Sequence, residues 1–426
     1  MVDIAAQSKE SRQAKSVTVI GAGIIGVLIA LQLQREGHRV TLIDKDQPGS
    51  GCSFGNAGIL ARSSFAPLSS PSSIKQVPSW LLNPNGPLSI CWGYLYKILP
   101  WLTRYLMAGF RSDYQQRGEA LQQLTDNSVQ LYESLCTFAD CRELIEKIDY
   151  LQVYRSEKGL LKCEADMQWR RALGYSVDRL DAQALQRLEP ALAESFKYAH
   201  LIRDHGFVKD PKALLSAFYD KFCALGGEFV QAKVKTIEYH QQQCLVFNDK
   251  ETLYSDKLVV AAGAFSARVI SSTGIHIPLE TERGYHVNCA QIDAELQVSR
   301  PIMDGDLKYF VTPMNHGLRF AGLVEFGGLD APLNMDRAKT LEKNAQQMLP
   351  GLNTQDASYW MGFRPTLADS MPVISHAPDN PNVLYAFGHQ HLGLTCAPMT
   401  ANIVSDLISG RTPAIDISRF DVQRLL

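Results

Sequence analysis

Two short stretches hold the residue types most able to do chemistry. Residues 388–395 read GHQHLGLT, with His389 and His391 two apart and framed by glycines. Residues 360–374 read WMGFRPTLADSMPVI, with Arg364 set among apolar residues and followed by Pro365, which favours an extended backbone. A His-x-His pair can ligate a metal, move protons, or sit in a turn whose backbone is the working part. Metal ligation is weak, because the pair supplies two ligands and no third His, Cys or acidic cluster follows at ligand spacing. Acid–base work lacks a neighbouring carboxylate. The turn reading fits the surroundings: an apolar strand over 383–387, the glycine-framed turn, and a helix expected from about 397 to 409 with Gly410 beyond it. Gly388, His391, Leu392, Gly393, Leu394 and Thr395 would then face an anion or an electron-rich ring. Arg364 needs an anionic partner, either Asp369 five residues on or a ligand carboxylate held bidentately.

A third motif positions such a ligand. Residues 17–44 read VTVIGAGIIGVLIALQLQREGHRVTLID: a short strand, G-x-G-x-x-G, a helix from about 24 to 36 with Gly37 as its stop, and a second strand ending in Asp44. Gly21 permits the tight turn, Gly23 lets backbone approach a pyrophosphate, and Gly26 lets the helix pack on the strand. Unpaired N–H groups at the helix start, around Ile24 and Ile25, favour phosphate. Asp44 suits ribose hydroxyls and disfavours a 2′-phosphate, hence NADP. The fingerprint does not separate FAD from NAD. The loop GSGCSFGNAGIL at 49–60, with Ser53, Asn56, Ala57 and Gly58, can lie flat on an aromatic ring system, and Lys45 stands beside it.

The remaining chain must build these elements into a core. At 426 residues, two domains are expected. With 46% hydrophobic and 20% charged residues and a net charge of −2, composition is globular and does not favour nucleic acid. The nine cysteines include no C-x-x-C, which reads as reduced thiols in a cytoplasmic compartment. Residues 1–15 are polar and read as a disordered leader without an apolar signal core. Residues 88–110, LSICWGYLYKILPWLTRYLMAGF, are expected to form two core helices broken at Pro100, with docking at a membrane interface as the alternative. Residues 113–195 read as helical packing outside the dinucleotide fold, including a short helix capped by Asp181. A helix at 211–224, a Gly226-Gly227 turn and a buried strand ending in Ala262 and Gly263 return to α/β pattern, and 277–330 holds several strands.

Taken together, the G-x-G-x-x-G unit with Asp44, the SFGNAG loop, LVVAAGAF, GFRP-x-x-x-D-x-x-P-V-I and GHQHLGLT resemble the FAD-dependent D-amino-acid oxidase/dehydrogenase family over nearly the whole chain. The bacterial dehydrogenases of D-alanine or D-hydroxyproline are the nearest type, on LLNPNGPL, ERGYHV and FVTPMNHGLRFAG. The resemblance implies a Rossmann-like α/β FAD-binding domain over 16–80, 196–272 and 356–426, interleaved with an α+β substrate domain over 81–195 and 273–355. It implies non-covalent FAD on Gly21, Gly23, Gly26, Asp44, Asn56, Ala57, Gly58, Val234, Ala262, Gly263 and residues 391–395. It implies Arg364 as the substrate-carboxylate anchor. Tyr285 and Tyr309 are both candidates for the family's active-site tyrosine, and His286 and His391 for a proton acceptor. Gln390 departs from a G-H-G-H-L-G pattern. The expected activity is oxidative deamination of a small D-amino or imino acid, with electrons passed to a quinone or an electron-transfer protein. The expected location is cytoplasmic, peripheral on the inner membrane at most. An oxygen-using oxidase, a 2-hydroxy-acid dehydrogenase and a non-catalytic flavin subunit are the alternatives.

Overall fold

The computed structural model describes residues 14–83, 86–240 and 243–426. All but the last two residues of the expected leader lie outside the described residues, as do residues 84 and 85 of LLNPNGPL.

The chain opens with β1 (Ser16–Ile20), α1 (Ile24–Arg35) and β2 (Arg39–Asp44), then β3 (Ile59–Leu60), α2 (Pro71–Leu82), β4 (Leu88–Ile90) and α3 (Leu95–Gly109). Next come α4 (Tyr114–Thr125), α5 (Ser128–Phe138), β5 (Ile145–Tyr154), α6 (Glu157–Lys162), α7 (Glu164–Ala172), β6 (Val177–Leu180), α8 (Ala182–Leu188) and β7 (Tyr198–Val208). The middle continues through α9 (Pro211–Ala224), β8 (Glu228–Gln231), β9 (Val234–Tyr239), β10 (Cys244–Asn248), β11 (Thr252–Ser255), β12 (Lys257–Val260) and α10 (Ser266–Ile270). The last part holds β13 (Glu280–Cys289), β14 (Ile302–Asp304), β15 (Tyr309–Met314), β16 (Gly317–Phe326), α11 (Met335–Met348), β17 (Ser358–Thr366), β18 (Val373–Ala377), β19 (Asn380–Phe387) and α12 (Gly393–Ile408).

One sheet has the order β18-β19-β12-β1-β2-β8 and is parallel except at β18. Its central strands are apolar runs because both faces are covered. Helix α1, IIGVLIALQLQR, buries Val27, Leu28, Ile29, Ala30 and Leu31 on successive positions, so it is enclosed on all sides, against β2, α9 and α12. The parallel register brings the C-terminal ends of β1, β2, β12 and β19 to one edge, the usual place for a ligand in such sheets.

The second sheet follows the path β17-β13-β16-β15-β14-β5-β7-β3, with β4 beside β16 and β6 beside β7. Helix α11 packs on β13 and β16 through Ala338, Leu341, Ala345 and Met348.

The structure moves the expected boundaries. Strands β7 and β17 fall in segments assigned by sequence to the nucleotide domain, yet both belong to the second sheet. Helices α4 and α5, expected outside the nucleotide fold, bury Leu121, Leu124, Val129 and Tyr132 in the core shared with α1 and α12. Residues 113–195 also hold two strands, β5 and β6. Local periodicity marks an element but not the neighbour that covers it. The pair of core helices expected at 88–110 is one helix, α3, with Pro100 inside it. At the sixth position of the helix the proline removes one backbone bond, which packing of Ile98, Trp101 and Ala108 offsets.

Two glycines of the first motif differ in what they permit. A Cβ on Gly26 would stand 1.8 Å from the Gly21 carbonyl oxygen, whereas one on Gly23 would stand 3.4 Å from Ser53 Oγ. Gly26→Ala should therefore destabilise the protein by about 3 kcal/mol. Gly23→Ala should cost little stability. Urea unfolding midpoints of the two variants check this, and equal midpoints would contradict it.

Candidate active site

A cavity of about 1220 Å³ runs along the sheet edge and on between the two sheets. Gly21, Gly23, Ile24, Ile25, Asp44, Lys45, Ser53, Asn56, Ala57, Val234, Ala262, Gly263, His391, Leu392, Gly393, Leu394 and Thr395 all line it. Gly26, Gly58 and Gly388 do not; they sit behind it, where turns and close backbone contacts need them. Gly58 at φ 78° lies against the Val208 carbonyl, and Gly388 takes φ 85° as the chain leaves β19.

Two helices begin at this cavity. At α1 the cap residue is Gly23, with no side-chain cap; the Ile24 N–H donates to Ser53 Oγ at 2.9 Å. Asp44 closes the adjoining turn by accepting from the Ala22 N–H at 2.7 Å, and Asp46 N–H donates to its other oxygen. At α12 the cap residue is Leu392, again without a side-chain cap, and the helix starts four residues earlier than the sequence suggested. Gln390 adopts φ 52°, a left-handed position where glycine is the easier residue, and its N–H is held by the Pro365 carbonyl at 2.8 Å.

The loop before β3 is anchored from beneath. Arg319 on β16 donates to the carbonyls of Phe54 (3.1 Å) and Asn56 (2.7 Å) and to Asn288 Oδ1 (2.9 Å). Burial lowers its pKa to about 10. His286 was a candidate proton acceptor; it is buried behind this loop, stacked on Trp360 at 5.0 Å with Nδ1 3.3 Å from the Gly55 carbonyl. Burial and the charge of Arg319 hold its pKa near 3, and its ring does not line the cavity.

Arg364, on β17, lines the cavity. Asp369 is not its partner: that carboxylate accepts from Arg424 Nε at 2.8 Å. Among the described residues Arg364 donates only to the Leu323 carbonyl, at 2.9 Å. Leu323 is itself at φ 57°, a costly conformation for a leucine within a strand, and it presents that carbonyl to the guanidinium. The guanidinium lies over Gly284, where a Cβ would meet Cζ at 2.3 Å. Its charge reaches Glu282, Cys52 and His391, which all line the cavity. Glu282 is its register partner across β13–β17 and its pKa is raised, burial outweighing the pull of Arg364. Burial raises the Cys52 thiol too.

The tyrosine candidates separate only in part: both stand opposite Gly322 on one face and are buried in the core of the second sheet, and Tyr285 alone also reaches the cavity wall. Tyr285 lines the cavity, and its hydroxyl donates to Glu325 Oε2 at 2.6 Å, within a buried group that includes Arg283 and Asn334. Tyr309 is a correction: it is fully enclosed in the core of the second sheet and donates to the Asn344 carbonyl at 2.9 Å. Alternation along β15 turns Phe310 to the cavity instead. The two histidines of the turn separate as well. His389 is buried against Thr400 Oγ1 at 3.0 Å. His391 shows its surface to the cavity, where burial and then Arg364 lower its pKa to about 4.

Glu282, Gly284, Arg319 and Leu323 were not singled out from sequence. TERGYHV, with two charges inside a strand-like run, carried a signal for Glu282; a left-handed leucine leaves none.

Such a sheet, with two open helix starts facing one long cavity and an acidic strand end, defines a dinucleotide-binding oxidoreductase architecture. A family model described as DAO, FAD dependent oxidoreductase, matches residues 16–407, and the chain belongs to that family. A D-amino-acid oxidase of Bradyrhizobium diazoefficiens is 36% identical over 424 residues, covering 97% of this chain and 100% of the relative. A D-amino acid dehydrogenase of Rhizobium rhizogenes is 28% identical, covering 96% and 99%. Among solved structures, glycine oxidase from Geobacillus kaustophilus shares the fold with a TM-score of 0.75 at 21% identity, covering 97% of this chain and 99% of the other. L-proline dehydrogenase from P. horikoshii does so at 0.72 and 18%, covering 96% and 97%. The protein is thus an FAD-dependent oxidoreductase, and its residues fit FAD: uncapped helix starts, Asp44 at the strand end, and a glycine backbone open at Gly23.

Burial of His389 sets a pH dependence. Its folded pKa is near 3 against 6.5 unfolded, so only the unfolded chain gains a proton as pH falls below 6.5. This contribution is present above about 6.5 and is lost as pH falls towards 3, amounting to about 2 kcal/mol at a pH of about 5. In His389→Gln the fall in urea stability from neutral pH to that pH should shrink by that amount; an unchanged fall would place the acid sensitivity elsewhere.

Proposed function

We propose that the protein oxidatively deaminates small D-amino acids or dehydrogenates cyclic D-imino acids such as D-hydroxyproline, passing electrons to a quinone or another acceptor that is not oxygen. Arg364 carries the reading: a half-buried cation on the cavity wall whose only protein hydrogen-bond acceptor among the described residues is one carbonyl. A substrate carboxylate supplies the missing acceptors as a fork-to-fork pair. Bound FAD supplies the two-electron chemistry.

The chain's own residues do the rest. Arg364 fixes the carboxylate and so orients Cα–H. Glu282, opposite it, is placed to receive the proton that the substrate ammonium must shed before Cα can give up hydride. Its raised pKa brings it closer to that of a general base. The helix start at 392–395 lines the cavity, where its N–H groups would stabilise the negative charge that grows on a bound flavin when it is reduced. Tyr285 and His391 wall the site, Tyr285 with its hydroxyl already committed to Glu325. The imine product leaves and water converts it to a 2-oxo acid and ammonia, or it stays cyclic. FAD is held without a covalent bond in this reading; burial raises the thiol pKa of Cys52, one of two cysteines on the cavity wall.

A panel of D- and L-amino acids, glycine and both hydroxyproline epimers tests this. D-substrates should bleach the flavin anaerobically and release ammonia or a cyclic imine, with a quinone analogue reduced far faster than oxygen. Preference for L-epimers would overturn the chirality. Stoichiometric hydrogen peroxide at a comparable rate would favour the second reading, an oxygen-using oxidase, which the relative at 36% identity supports. Arg364→Ala should lower kcat/KM about 100-fold, mostly through KM, with flavin content unchanged. An unchanged KM would remove the carboxylate role.

A further inference from the structure

Of the thirteen large hydrophobic residues exposed among the described residues, eight lie between 81 and 110: Leu81, Leu82, Trp92, Tyr96, Leu99, Leu106, Met107 and Phe110. Scattered exposed apolar residues are ordinary, but a concentration of this kind marks an interaction site. Trp92 is 82% exposed and Leu82 84%.

Helix α3 shows how the concentration arises. At about 100° per residue, Leu106, Leu99, Phe110, Tyr96 and Met107 fall within one arc of roughly 100°. Lys97 and Arg104, both exposed, fall side by side on the flank of that arc. The opposite side, with Ile98, Trp101 and Ala108, is buried. The helix is therefore apolar on both faces: one packs on the protein and the other faces solvent. Helix α2 joins it, Ile74 lying where a Cβ of Gly109 would be, and ends in Leu81 and Leu82. Leu81 and Leu106 also line the cavity, so the exposed face is continuous with its mouth.

Charge selects the occupant. Residues 47–112 contain no aspartate or glutamate, yet include Arg62, Lys75, Lys97, Arg104 and Arg111, in a chain whose net charge is −2. Arg62 and Arg111 are paired with Asp126 and Asp113; Asp113 is also held by Arg117 and Arg419, and Asp330 by Arg268. Exposed Trp and Tyr beside Lys and Arg, over an apolar arc, suit the headgroup layer of an anionic bilayer. A second copy laid on the same face would oppose cations with cations.

We infer that the α2–α3 face docks onto the surface of an anionic lipid bilayer, which sets the cavity mouth against the lipid. The inference rests on this surface alone, and its failure would leave the amino-acid reading standing. The test is cosedimentation of the flavin-loaded full chain with equimolar phosphatidylglycerol–phosphatidylcholine vesicles and with phosphatidylcholine vesicles. Binding is expected to the anionic vesicles and to weaken with salt. The pair Lys97→Glu and Arg104→Glu should weaken it about tenfold or more. The pair Trp92→Ser and Phe110→Ser should weaken it similarly, with flavin content and melting temperature unchanged in both. Absence of binding, equal binding to neutral vesicles, or undiminished binding by either pair would overturn the inference. So would a dimer in solution that the Trp92 and Phe110 changes dissociate, which would give the face to a second copy.

Discussion

Two helices begin, without side-chain caps, at one edge of one parallel sheet, and the rest of the molecule answers to that. An uncapped helix start leaves several N–H groups without partners, a cost that a buried segment cannot ignore. At α1 the cap residue is glycine and at α12 it is leucine, so neither helix satisfies itself. The surroundings are built to bring an acceptor-rich dinucleotide there instead. Gly26 lets α1 approach the end of β1 at backbone contact, Gly21 lets the turn pass the Ala261 carbonyl, Asp44 ties the turn, and Arg319 holds the neighbouring loop by two of its carbonyls.

The proposed substrate site is assembled from both sheets. Arg364 stands on β17, in the second sheet, while the 388–395 turn leaves β19, in the first. The bond from the Gln390 N–H to the Pro365 carbonyl joins the two one residue from the arginine. Leu323, strained at φ 57°, spends conformational energy to give Arg364 a single acceptor. A half-buried guanidinium with one hydrogen-bond acceptor is an unfinished network, and such networks are strong when a ligand completes them. The opposing Glu282 makes the site electrostatically two-sided, which matches a molecule carrying both a carboxylate and an amine.

Between cavity and solvent stands the 71–110 segment. Helix α2 serves it with Val77 and Trp80 and α3 with Leu102 and Tyr105, and both carry an apolar outer side. The usual economy of a helix in water, one apolar stripe inward and polar residues outward, is broken here. Pro100, the sixth residue of α3, removes one backbone bond there and is carried by the burial of Ile98, Trp101 and Ala108. No helix among the described residues is long and apolar enough to cross a bilayer.

What the sequence determined by itself is what short-range geometry controls. The β1–α1–β2 unit, helix α9 to the residue, the Asp181 cap and the strand–turn–helix at GHQHLGLT follow from spacing, glycine placement and capping, all properties of neighbours in the chain. The cavity-lining positions in those turns were legible for the same reason. What only the tertiary structure decided depends on partners far away in sequence. Strand pairing put β7 and β17 in the second sheet and turned Tyr285 and Tyr309 to one buried face of it, and Arg424 took the carboxylate that spacing had offered to Arg364. Glu282 became the counterpart of Arg364 only through the register of two strands some eighty residues apart, a distance over which no local pattern carries information.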